Sequence, residues 1–155
     1  MRWYGLFASR FTVMKAALLV ESLTGNTWKA AEMIGANLQQ EGWHITGLSP
    51  VRKPNHASIQ EADIVLVGTW VHGLFVVGQA PWGAGALGKL PAMRNKKVAT
   101  FCTFALNPAK TLDTMTRILE TRGAEVVGGL AISRSKLAEH SEIFADRLVS
   151  ALSTL

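Results

Sequence analysis

The sequence predicts an α/β fold, a doubly wound parallel sheet of five strands with helices on both faces. Three observations predict it. Short apolar runs suited to strands alternate with segments of helical periodicity, an order that calls for parallel pairing through helical crossovers. One of the runs, Ile64 to Val67, is apolar without interruption, as strands covered on both faces are. The length of 155 residues suits one domain with a sizeable core.

The elements follow in order. The run Lys15 to Glu21 reads as strand one. Because Met14 directly precedes it, residues 1–14 read as an added leader or a misplaced start codon, and the domain as 15–155. From Thr27 to Gln40, Trp28, Ala31, Ile34 and Leu38 recur at helical spacing, and Gly42 offers a stop. Trp43 to Leu48 reads as strand two. Two prolines between Pro50 and Ala62 leave room for only a brief helix. Strand three is Ile64 to Val67. Gly68 to Gly88 is glycine-rich and reads as a long shaped loop, with a weak helix near Ala86 to Met93. Lys97 to Phe104 is strand four. A helix follows after Pro108, marked by Leu112, Met115, Ile118 and Leu119 and closed at Gly123. Val126 to Ile132 is strand five. Leu137 to Leu152 is the last helix, with Ile143, Phe144, Leu148 and Leu152 expected to face inward.

Composition excludes several classes. A hydrophobic fraction of 48% against 17% charge is far from that of disordered chains. No uncharged apolar run reaches the roughly 18 to 20 residues that cross a bilayer, so no membrane insertion and a cytoplasmic location are expected. Cys102 is the single cysteine, which rules out an internal disulfide and a cysteine cluster for metal within one chain. The net charge of +5 is spread over short pairs such as Arg52 with Lys53 and Lys96 with Lys97, without interleaved aromatics, so no nucleic-acid partner is expected. That charge suits an acidic redox partner or an anionic cofactor.

In an open sheet of this type, ligands sit beyond the carboxyl ends of the strands, where the strand order reverses. Three loops qualify: after Glu21, after Gly68 and after Phe101. In the first, Ser22, Leu23, Thr24, Gly25, Asn26 and Thr27 present hydroxyls and backbone N–H groups at the start of a helix. The helix dipole adds partial positive charge and Gly25 allows close approach, so a phosphate can bind without a lysine. The same residue types also serve as an ordinary helix cap. The Gly-Lys-Ser/Thr ending of a P-loop is absent.

This run resembles the phosphate loop of flavodoxins, Ser/Thr-x-Thr-Gly-Asn/Lys-Thr, at Ser22, Thr24, Gly25, Asn26 and Thr27. The resemblance extends from Met14 to the end of the chain, and the uninterrupted fifth strand is similar to the short-chain branch. It implies a flavodoxin-like strand order, 2-1-3-4-5, and one bound FMN. It also implies that Thr69, Trp70, Val71, His72, Gly73 and Phe75 in the second loop meet the isoalloxazine, with Trp70 the main stacking candidate. Cys102, Thr103, Phe104 and Asn107 in the third loop would line the other side. The acidic residues common around the flavin in this family are absent from Thr69 to Phe75, which leaves the redox tuning and the type of partner open.

Other patterns carry less. Gly83 to Gly88 matches G-x-G-x-x-G, but no strand immediately precedes it and no acidic residue follows at the required distance. His44, His56, His72 and His140 show no metal-ligand spacing, although His72 is placed to donate a proton near a flavin. No catalytic residue and no metal site is assigned. The resemblance therefore implies an FMN-binding electron-transfer protein, serving a redox partner protein or an NAD(P)H-linked reductase. Two alternatives share the fold: an NAD(P)H-dependent quinone or FMN reductase, and a flavin-free regulatory or binding module.

Overall fold

The computed structural model describes residues 13–22, 25–71, 87–90, 93–108 and 110–153. The strands are β1 (Lys15–Val20), β2 (His44–Pro50), β3 (Ile64–Trp70), β4 (Lys97–Phe104) and β5 (Glu125–Ser133). Among the described residues, the helical elements include α1 (Asn26–Gln40), α2 (His56–Glu61), α3 (Thr111–Thr121) and α4 (Leu137–Ser153), with a 3-10 turn at Arg134–Lys136. The strands form one sheet in the order β2-β1-β3-β4-β5, and every pairing is parallel. The expected fold class and strand order are therefore those observed.

Side-chain alternation divides the core into two layers. Ala16, Leu18 and Val20 of β1, with Ile64, Leu66 and Phe101, pack against Ala31, Ile34 and Leu38 of α1 and Phe144 and Leu148 of α4. Leu19, Val65, Val67, Val98 and Cys102 face the opposite way, against Ile59 of α2 and Met115 and Leu119 of α3. All seven residues of β3 are buried, as a central strand requires. On α4, Ala145 rather than Ile143 completes the buried stripe. Trp28 is only half-buried, packed along the edge of the first layer.

The largest departure from expectation is the length of β3, which runs three residues past Val67. Gly68 reads as a loop residue in sequence, but here it is a packing residue: a Cβ at this position would lie 2.1 Å from Cζ of Phe101. The bare backbone lets that ring lie over the strand and meet Phe144 edge-on, with centroids 5.6 Å apart. Pro50 ends β2, an edge strand, where a missing N–H costs no ladder bond. Met14, assigned with the leader in sequence, belongs to the folded unit: its carbonyl accepts from His44 N at 2.8 Å and its side chain packs on the core. Of the weak helix expected near Ala86 to Met93, Leu87 is helical and Gly88 and Lys89 form a turn in which Leu90 N donates to Leu87 O at 3.2 Å, while Ala86, Pro91 and Ala92 lie outside the described residues.

Candidate functional site at the carboxyl ends of β1, β3 and β4

The first loop leaves β1 at Val20, and Glu21 prolongs the ladder by donating its N–H to Gly68 O at 2.9 Å. Ser22 Oγ accepts from Gly25 N at 3.1 Å, which closes the turn on itself. Gly25 stands at the N-cap of α1 with φ 90° and no side-chain cap bond. A Cβ at Gly25 would meet nothing within 4 Å, so the space before the helix is open. The first turn of α1 carries no acidic residue to occupy its positive end. These features fit an anion held by backbone N–H groups. Leu23 and Thr24 lie outside the described residues.

The other two loops begin later than the sequence suggested. Thr69 and Trp70 end β3, and Val71 N donates to Thr103 O at 2.9 Å, so all three belong to the sheet rather than to a free loop. Trp70 is 8% exposed. His72, Gly73 and Phe75 lie outside the described residues, as does the pattern from Gly83 to Ala86. Cys102 is wholly buried inside β4 and faces the second core layer, where burial pushes its thiol up to about 12. It is an apolar filler there, not a loop residue. Phe104 is half-buried, whereas Ala105, Leu106 and Asn107 are exposed beyond the strand end.

Thr103 joins two of the loops. Its Oγ1 lies 2.7 Å from Oγ1 of Thr27, and both residues are buried. The start of α1 is thus tied to the end of β4. One hydroxyl donates to the other, so the pair uses one proton and leaves the second to be given elsewhere.

Two further residues escaped the sequence reading. Glu21 Oε1 accepts from Nε of Arg52 at 3.0 Å, with the carboxylate side chain 10% exposed and the arginine 57% exposed. Glu21 Oε2 and Thr69 Oγ1 are buried without a hydrogen-bond partner. The available signal was an acidic residue closing the apolar run of β1, directly before the phosphate-type loop. The basic pair Lys96 and Lys97 lies elsewhere: Lys96 Nζ donates to the carbonyls of Gln60 and Ala62, and Lys97 pairs with Ile64, both at the amino end of the sheet. Among the described residues no group of three His, Cys, Asp or Glu is placed to hold a metal ion. His140 Nδ1 accepts from Ser133 N at 3.1 Å. No helix among them is long and apolar enough to cross a membrane.

The parallel order β2-β1-β3-β4-β5, with α1 starting just beyond the carboxyl end of β1, defines a doubly wound α/β domain. The family model of the flavodoxin domain matches residues 17–144, and the chain belongs to that family. None of the curated proteins matches it. Solved structures share the fold at low identity. Flavodoxin 2 from Bacillus cereus has a TM-score of 0.68 at 20% identity over 91% of this chain and 99% of its own. A Streptococcus pneumoniae TIGR4 flavodoxin gives 0.65 at 20% identity, over 88% and 98%. Rubredoxin oxygen:oxidoreductase from Desulfovibrio gigas gives 0.63 at 19% identity, covering 97% of this chain but 40% of that longer one. The family implies a flavin cofactor, usually FMN.

Proposed function

We propose that the chain binds FMN across the carboxyl ends of β1, β3 and β4 and serves as an electron-transfer protein in the cytoplasm, working with a redox partner. The observation that carries this reading is the uncapped start of α1, with Gly25 at φ 90° and open space before it. An orphaned hydroxyl at Thr69 and the second proton of the Thr27–Thr103 pair add polar capacity where a phosphate ester and its polar chain would lie.

When bound, FMN supplies one- or two-electron redox chemistry, and the protein supplies position and electrostatics. Ser22 holds the turn through Gly25 N–H. The first amides of α1, together with Thr24, Asn26 and Thr27, would hold the phosphate. Thr103 keeps Thr27 and the helix start in register with β4. Thr69, Trp70 and Val71, with His72, Gly73 and Phe75, would form one wall of the ring site. Phe104 and Asn107 would form the other. Trp70, buried at a strand end, would contact the ring from the sheet side. Cys102 lies too deep in the core to touch a ligand and supports the wall from behind.

The test is an absorbance spectrum of the purified protein with the released flavin identified. Thr24→Ala combined with Asn26→Ala should weaken FMN binding by about 1.5 to 3 kcal/mol for each charge-assisted bond removed, and riboflavin should bind the parent far more weakly than FMN. A colourless protein that takes up no added FMN would refute the reading. Equal affinity of parent and double variant would refute the phosphate loop.

A further inference from the structure

β5 closes one edge of the sheet, and among the described residues it pairs with β4 alone. Parallel pairing uses the N–H and C=O of alternate residues, so the other residues of this nine-residue strand turn theirs outward. Gly128 and Gly129, at its middle, are exposed, and an exposed glycine exposes backbone. The opposite edge differs: β2 is half-buried from Ile45 to Leu48 and ends in a proline. Edge strands are usually blunted by charge, by proline or by being short, whereas β5 from Val126 to Ser133 has neither charge nor proline. Its one irregularity is a bulge that leaves Val127 without a counterpart in β4 and 37% exposed. Beside this edge, Gly128, Leu130, Phe144, Leu148 and Ala151 line an apolar groove of about 160 Å³, with the exposed Arg147 at its margin. A Cβ at Gly128 would meet nothing within 4 Å, so the groove is open over bare backbone. An apolar space of about 150 Å³ takes a group as large as benzene, so one aliphatic side chain fits.

Charge identifies the occupant. Glu125 begins β5, Arg134 and Lys136 follow its end, and no charge lies between them. Glu125 and Lys136 are exposed, and neither is in an ion pair among the described residues. A strand acidic at one end and basic at the other complements a copy of itself turned around, and a two-fold axis imposes that antiparallel alignment. We propose that β5 is the interface of a two-fold dimer, in which the β5 edges of two copies pair antiparallel and join their sheets. Leu130 is midway between Glu125 and the centre of the turn at Arg134–Lys136. An axis near Leu130 therefore sets each Glu125 beside the partner's Arg134 and Lys136, and sets the partner's Leu130 over the groove next to Gly128. Arg147 lays its aliphatic stem along the margin and keeps its charged head in water. The contact uses the same edge of both copies, so it closes on itself and does not extend into fibres.

The test is sedimentation velocity of the full-length chain over a wide range of concentration, with hydrogen exchange followed at the amides of β5. The parent should pass from monomer to dimer, and those amides should exchange more slowly as it does. Gly128→Lys fills the groove from within at a position without positive φ. At a concentration where the parent is monomeric, it should melt at the parent's temperature or higher, and it should stay monomeric throughout. Val127→Lys, a change at an exposed position, should also abolish the dimer. Glu125→Lys or Lys136→Glu alone should weaken dimerisation roughly fivefold to tenfold, because each spoils two symmetric contacts, and the double variant should regain the parent's affinity. A parent that is monomeric at every concentration refutes the interface. A dimer that survives either folded lysine variant refutes it as well, as does a charge-swapped double variant that associates no better than the single ones. Slow exchange of β5 in a monomer would mean that another segment of the same chain covers the edge, and that result also overturns the proposal.

Discussion

The tie between Thr27 and Thr103 offers the sharpest test of how the fold builds the site. The two hydroxyls meet at 2.7 Å although the residues are 76 positions apart, and both are buried. Replacing either threonine by valine preserves shape but strands the remaining hydroxyl in a buried setting. Each single variant should therefore lose about 1 to 3 kcal/mol of stability, the cost of an unsatisfied buried polar group. The double variant removes both groups and should lose about 1 kcal/mol or less, since paired replacement by apolar isosteres is nearly neutral. The coupling between the sites would then be at least about 1 kcal/mol, well outside the additivity expected of independent positions. Urea unfolding of the four flavin-free proteins, with m-values compared, measures it. FMN affinity should fall in all three variants, because the proton left over by the pair is lost or misdirected. Additive stability losses would refute the argument, since they would mean that the hydroxyls do not depend on each other.

Three other outcomes are expected. Gly25→Ala meets no steric obstacle, so its cost is conformational, about 1 to 2 kcal/mol for a non-glycine residue at positive φ, or roughly 2 to 8 °C in Tm for a chain of this size; a wild-type melting curve would contradict the observed φ of 90°. Cys102 should resist alkylation in the native protein. Its thiol is raised from 9.0 to about 12 by burial, so between those values the native state keeps a proton that the unfolded state has lost. Stability should accordingly be unaffected below about pH 9 and fall as pH rises from there toward 12, by at most roughly 4 kcal/mol at ~1.36 kcal/mol per unit. Comparison with Cys102→Ala isolates that slope, and identical pH profiles would count against it. Finally, Lys97→Glu should leave the rate and salt dependence of reduction by a donor protein unchanged, because Lys97 lies at the end of the sheet away from the site. A steep change in stopped-flow rate would place docking at the amino end instead.

The order of strands and helices was legible because it depends on local pattern. Helical periodicity in α1 and α3, the unbroken apolar run of β3 and the glycine stops at Gly42 and Gly123, which take φ values of 87° each, are properties of short segments. The turn from β1 to α1 was legible for the same reason, since β1 and α1 lie only a few residues apart in the chain. Where the reading failed, a local signal was overruled by a distant partner. Gly68 looked like the start of a loop until the Phe101 ring, 33 positions later, occupied the space that a side chain there would take. The basic residues Lys96 and Lys97 could have bordered either end of the sheet, and the carbonyls of Gln60 and Ala62 decided which.

The amino-acid sequence by itself determined the class of fold and the place of the turn from β1 to α1, since both arise from residues close in the chain. The tertiary structure alone decided which side chains share the site. Register between β1 and β3 sets Glu21 beside Thr69, the packing of α1 brings Thr27 to Thr103, and the edge position of β2 delivers Arg52 to Glu21. Such meetings depend on how strands align across the sheet, where a shift of one residue turns each side chain to the opposite face, and no short-range pattern in the chain encodes that alignment.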